Sequence, residues 1–292
     1  MKALVPSSIG TVGFDLGKTL WLWGLLPAAV VGIVVVTPTL AAISLLLTIW
    51  CLCLGHSVGL HRGVIHKTWR GPRIVELALF EGFALTGLGG PLSWVRLHAV
   101  RDYWQNQRDC PDYFAYRHGL ARDFIWNLHL RFEPADDRAL VRLPAGALDD
   151  PYLRFLEATW PLHSLALALV LLATLGPDAV AVVVGARVVA GILGHWFVGY
   201  AAHVWGEQVH VVDGASESGR NLWALGVLSF GEGFHNHHHA FGGSARMGLR
   251  WWEFDLGYVL LRAMGVVGLA HDISAADIDG DITTFSAVPS RA

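Results

Sequence analysis

Charge is scarce in this chain. Asp, Glu, Lys and Arg make up 15% of its 292 residues, while 53% are hydrophobic. Soluble domains carry about 25% charged residues, so with a mean hydropathy of +0.45 the composition excludes an ordinary soluble domain and points to a bilayer. Cysteine is scarce too. Cys51, Cys53 and Cys110 form an odd set with no Cys-x-x-Cys spacing, which excludes a disulfide framework and a thiolate metal site. The net charge is −3 with no basic stripe, so nothing favours a nucleic-acid partner. No cleavable leader is visible between Met1 and Leu16, where Pro6, Ser7 and Gly10 interrupt the run. The first long apolar segment is therefore expected to target the chain itself.

Four apolar segments read as membrane spans, about residues 20–36, 40–54, 162–175 and 179–200. Each approaches the ~20 residues needed to cross a bilayer. The turns at Thr37-Pro38 and at Gly176-Pro177-Asp178 leave room only for tight hairpins. Both termini and residues 55–160 are then expected on one side. Of the 21 Lys and Arg, all but Arg187 fall outside the spans on that side, which the positive-inside rule makes cytoplasmic. The expected architecture is all-α: one multi-pass membrane domain over 1–292, four transmembrane helices in two hairpins, a cytoplasmic cap and interfacial helices.

Ile74–Leu92 is apolar but broken by Glu76, Glu81 and five glycines or prolines. It reads as an interfacial or re-entrant helix, because a full crossing would strand the later charges on the wrong face. Trp251–Leu269 reads as a second membrane-surface helix. From Ala270 onward the chain is aspartate-rich with little apolar content, and a loose tail is expected over 270–292. Arg187 sits inside the fourth span, where snorkelling or a carboxylate partner, Glu81 foremost, is expected.

Against this apolar background the 15 histidines are conspicuous. Gly231–Phe241 alone holds four of them. On a helix His235, His238 and His239 share a face while His237 points elsewhere. Converging neutral imidazoles suit iron, zinc, copper or nickel. Others, His56, His61, His66, His98, His195 and His203, lie at the cytoplasmic ends of separate segments. A four-helix bundle would bring those ends together. One histidine on an apolar helix is most simply a core residue, but so many at matched depth point to a shared site.

These motifs resemble the membrane fatty acid desaturase superfamily, in particular its acyl-CoA desaturase branch. His61 and His66 match a His-x4-His box. Gly231-Glu232-Gly233-Phe234-His235-Asn236-His237-His238-His239 matches the third box, and Ala201-Ala202-His203 matches an additional family histidine. The resemblance covers roughly residues 20–270. Two departures stand out: Arg101 and Asp102 replace a His-His pair after His98, and Gly199 replaces an asparagine. The run from His98 to Gln105 resembles a bacterial desaturase-like subfamily. Carried over residue by residue, the resemblance implies two iron ions. His61, His66, His98 and His238 would hold one, with Asp102 standing in for a fifth ligand. His203, His235 and His239 would hold the other, short of one ligand because arginine cannot ligate; His195, His237 or water could complete it. Asn221, Glu232 and Asn236 are expected to orient the imidazoles.

The implied reaction is O2-dependent desaturation of a fatty acyl chain linked to CoA, a carrier protein or a lipid. Nothing in the chain resembles a fused reductase domain, so a separate electron donor such as ferredoxin or cytochrome b5 is expected. The implied location is a bacterial inner membrane, with the boxes and both termini cytoplasmic. The boxes equally allow a hydroxylase of the same fold. The departure at Arg101 also leaves open a redox-inactive metal-binding protein or pseudo-enzyme. Tryptophans 94, 104, 196 and 205 are candidates for an acyl tunnel, and the arginines between Arg62 and Arg131 for a head-group site.

Overall fold

The structure, a computed structural model, describes residues 4–135 and 146–285. Four helices dominate it: α1 (Leu16–Val35), α2 (Pro38–Ile65), α6 (Pro151–Leu175) and α7 (Pro177–Val204), each long and apolar enough to cross a membrane. Between them come α3 (Arg73–Ala84), α4 (Pro91–Gln105) and α5 (Leu120–His129); after them come α8 (Trp223–Leu228), α9 (His235–Ala240) and α10 (Leu256–Val266). Asp15 caps α1, Thr37 caps α2 and Asp150 caps α6 through side-chain oxygens that accept first-turn N–H groups. Those donors would otherwise be unpaired at a helix start.

Both α2 and α7 outrun the apolar segments read from sequence. At 28 residues each they extend up to about 42 Å at the α-helical rise, less where the winding is wider, and still beyond a hydrocarbon core of about 30 Å. The extra turns carry histidines. From Ile49 to Ile65, α2 is wound as a π-helix, whose bonds run from residue i to i+5; the His66 N–H, for example, donates to the His61 carbonyl at 3.1 Å. This winding stacks residues five apart, so His56, His61 and His66 fall in one column. Helix α3 packs tightly on that stretch at Gly55, where a Cβ would lie 2.4 Å from the Phe83 nitrogen.

The segment read as interfacial is a 12-residue helix followed by a turn with positive φ at Gly87 and Gly89. At about 18 Å, α3 is too short to cross. The second expected surface helix is shorter than read: it begins at Leu256, capped by Asp255, so Trp251 and Trp252 precede it. Arg187 does not pair with Glu81. Its guanidinium is buried and donates to the Val183 and Leu85 carbonyls at 2.8 and 3.0 Å, satisfying the carbonyl at the end of α3. Glu81 instead binds His163 and Tyr152.

Residues 270–285 are not a loose tail. Ile273–Ala276 (β3) pairs antiparallel with Ile282–Phe285 (β4), and Ala270 and Ile273 are buried against Leu261, Trp69 and Leu79. A few well-spaced apolar residues suffice, because the turn between the strands solvates the aspartates. Residues 286–292, the rest of the expected tail, lie outside the described residues. A second small sheet joins Gly10–Phe14 (β1) to Leu130–Pro134 (β2).

Candidate metal centre

Two groups of histidines meet at the ends of the long helices α2 and α7. His61, His66, His98 and His238 each offer a ligand atom within 4.8 Å of the others, and so do His203, His235 and His239. Four segments supply them. α2 gives His61 and His66, α4 gives His98, α7 gives His203, and α9 gives the rest. The short α9 divides its histidines between the two groups, which are adjacent: the His235 and His238 rings are 5.5 Å apart.

The chemistry of these atoms fits a cation. Nε2 of His61, His66, His98 and His203, and Nδ1 of His235 and His238, are buried without a hydrogen-bond partner. So many orphaned imidazole nitrogens are costly unless something binds their lone pairs. Burial holds the rings neutral, the ligating form. It pushes His66 and His239 down to about 4 and His235 and His238 well below the usual imidazole range, with neighbouring imidazoles adding to the effect. Other atoms border the rings. His203 Nδ1 donates to the Gly199 carbonyl at 2.7 Å, leaving Nε2 for the group, and His61 Nδ1 lies 2.8 Å from the Glu232 carboxylate, without the alignment of a hydrogen bond. The hydroxyl of Ser57 donates to the other Glu232 oxygen.

Asp102 borders the first group. Its carboxylate is 3.2 Å from His98 Nε2, without the alignment of a hydrogen bond. Burial pushes its pKa up, but His98, His66 and His239 together hold it below the ordinary carboxylate range. Its field therefore reaches histidines of both groups. Arg101 joins neither group; it binds the side-chain oxygen of Asn127 on α5.

Neither histidine considered as a replacement ligand joins the second group. His237 turns to Glu253, at 3.1 Å, and His195 pairs with His56 across Nε2 atoms 3.1 Å apart. Instead the Tyr116 ring stacks on His203, centroids 4.0 Å apart. Among the described residues, neither Asn221 nor Asn236 has a side-chain hydrogen bond to an imidazole. Asn221 accepts the N–H groups of Asn236 and His237 at the start of α9, while Asn236 binds backbone atoms of Val209, His210 and Ser218. Both therefore fix the backbone that presents the histidines. Residue types alone did not separate these two jobs.

An ion pair with no sequence signal ties the groups' scaffolds together. Arg62, fully buried beside His61, donates to Asp255 at 3.0 Å and to the Phe230 carbonyl at 3.2 Å. This removes Arg62 from the head-group candidates. Gly231 lies against the pair with φ +107°, and a Cβ there would approach the Asp255 carboxylate to 2.5 Å. The first glycine of the third box is thus required by packing and by backbone conformation.

A cavity of about 810 Å³ reaches both groups, touching His61, His98, His203 and His235. Its lining also includes Ile33, Leu45, Leu52 and Val182 of the long apolar helices, with Ile33 and Leu45 exposed at the surface. Trp94 lines it, but Trp104, Trp196 and Trp205 do not.

The sequence matches the model of the fatty acid desaturase family over residues 16–271. The chain belongs to that family. It is 32% identical over 227 residues to an sn-1 stearoyl-lipid 9-desaturase of Anabaena variabilis, covering 77% of this chain and 80% of the relative. It is 31% identical over 223 residues to a Synechocystis protein of the same name, covering 75% and 67%. A palmitoyl-monogalactosyldiacylglycerol delta-7 desaturase of Arabidopsis thaliana is 32% identical over 226 residues; the match covers 75% of this chain but only 58% of the longer relative. The expected superfamily and its oxidoreductase class are therefore those of this desaturase-family chain.

Proposed function

We propose that this desaturase-family protein binds two iron ions and desaturates a fatty acyl chain seated in the 810 Å³ cavity, using O2 and electrons from a separate donor. The observation that carries the proposal is the cavity's course from an apolar wall to both histidine groups. His61, His66, His98 and His238 would hold one iron, with Asp102 as a carboxylate neighbour. His203, His235 and His239 would hold the other. Bound there, non-haem iron with open positions supplies O2 activation. The chain's own groups do the rest. The aliphatic side chains of the lining would hold an alkyl chain beside the imidazoles, and Glu232 and the Gly199 carbonyl would keep His61 and His203 turned inward. Asn221 fixes the start of α9, so that its histidines face both groups.

The same reading puts the histidine groups and both chain ends on the cytoplasmic side of a bacterial inner membrane, supported by the distribution of Lys and Arg. The donor, a ferredoxin or cytochrome b5, would approach from that side. The substrate would be CoA-, carrier- or lipid-linked. Expression in a host with simple lipids tests the function by fatty-acid profiling with and without O2. A product two hydrogens lighter than its parent is expected. A product one oxygen heavier would assign hydroxylation instead. The three-histidine second group, with Arg101 turned away to Asn127, favours a redox-inactive metal-binding role as the second reading. No O2-dependent product in a metal-loaded protein would establish it.

A further inference from the structure

The His56–His195 pair has no part in either histidine group, yet it lines the cavity. His56, 5% exposed, comes from the π-wound column of α2, and His195 comes from the facing side of α7. Their Nε2 atoms are 3.1 Å apart. The pair sits close to the proposed reaction centre: the His56 ring is 6.2 Å from His61 and meets Trp94 edge-on at 4.6 Å. Leu52, Ala190, Gly191 and Val198, near the pair in sequence, line the cavity, as do Trp94, which packs on both rings, and the more distant His98 and Glu232.

Two imidazoles are costly to desolvate unless hydrogen-bonded, and here, among the described residues, each has only the other as its bonded partner at Nε2. An unsubstituted alkyl chain cannot bond to them, and aliphatic side chains would serve it better. In the neutral pair one Nε2 carries the proton and the other a lone pair. The facing atoms are bonded to each other at 3.1 Å, so they offer one donor and one acceptor to a group that parts the two rings. A hydroxyl is the matching ligand, since it donates and accepts at once. A keto oxygen accepts only and would leave one imidazole lone pair unmatched.

We propose that His56 and His195 form a recognition subsite for a hydroxyl group on the acyl chain, a few methylenes from the carbon presented to the histidine groups. The proposal rests on the reading of the cavity as an acyl-chain site. An entering hydroxyl gives up its bonds to water and replaces the pair's mutual bond with two bonds of its own, a difference of one protein hydrogen bond, at most about tenfold in affinity.

The test uses the full-length protein in detergent micelles or nanodiscs. A labelled saturated long-chain fatty acid is displaced by its unlabelled parent and by the series of positional mono-hydroxy isomers. The proposal expects one isomer, or two neighbouring ones, to compete about tenfold better than the parent. The keto analogue at that position should show no such gain. In His56→Leu and His195→Leu the ratio of hydroxy-chain to parent affinity should fall to about one, while His195→Gln, which keeps a donor and an acceptor, should retain part of it. A flat positional series overturns the proposal in the unmodified protein, whatever the variants do. So does a preference that survives His56→Leu in protein with unchanged circular dichroism. If the parent chain binds without preference, only the subsite falls. If no chain binds, the acyl-site reading falls with it.

Discussion

Replacing Asp255 with alanine perturbs the join between the first and third histidine boxes at one carboxylate. The Asp255 carboxylate is 3% exposed and Arg62 wholly buried. Its Oδ1 accepts from the Arg62 guanidinium and from the Tyr258 N–H at the start of α10, and Oδ2 accepts from the Met247 N–H. Removing the carboxylate strands a buried charge, which costs about 3–5 kcal/mol, and deletes a helix cap worth about 1 kcal/mol. The two contributions share one group and do not simply add, so we expect a loss of about 4 kcal/mol. Denaturant unfolding of the metal-free protein in micelles measures it without metal linkage. Arg62→Met combined with Asp255→Leu removes both charges and should be less harmful than Asp255→Ala alone. A cost below about 1 kcal/mol for Asp255→Ala, or a double variant at least as unstable, would show that this pair does not hold the boxes together.

Other outcomes follow from the same geometry. Glu232→Ala frees His61 from its orienting carboxylate and should weaken metal binding at the first group about 10–100-fold, read by chelator competition; Ser57→Ala, which keeps the carboxylate, should cost less. Asp102→Ala should lower iron occupancy as severely as His98→Ala if the carboxylate ligates, and a fully loaded variant would make it only a neighbour. Arg101→His should raise iron content if the second group merely lacks a donor; unchanged iron with lower activity would instead assign the arginine a role of its own. Asn221→Ala should destabilise the protein by about 1 kcal/mol and weaken metal binding at both groups, because α9 serves both.

The long helices were legible because apolar runs cover 20–36 and, Arg187 and His195 apart, 179–200. Their far ends were not. A hydropathy reading stops at Leu54, where glycines and histidines begin, yet α2 continues to Ile65. The five-residue spacing of His56, His61 and His66 was the available signal, and it acquires meaning only with π winding, which no propensity scale announces. His56 was visible in that run, but its partnership with His195 depends on how α2 faces α7. The Arg62–Asp255 pair spans 193 residues and has no local pattern. The hairpin after Ala270 was missed because its aspartates outweighed its few apolar residues, although Asp279-Gly280 is a turn signal. The grouping of His61, His66, His98 and His238 apart from His203, His235 and His239 follows the division implied by the family's boxes.

The central claim is that the two histidine groups are two distinct metal sites that share α9. Iron analysis of purified, reconstituted protein, alongside the single variants His238→Ala and His239→Ala, tests it most directly. The account expects two irons per chain in the parent, with each variant losing mainly the iron of its own group, so that Mössbauer spectra of the two variants retain different sites. A parent that saturates at one iron per chain, or variants that leave the same residual spectrum, would contradict it.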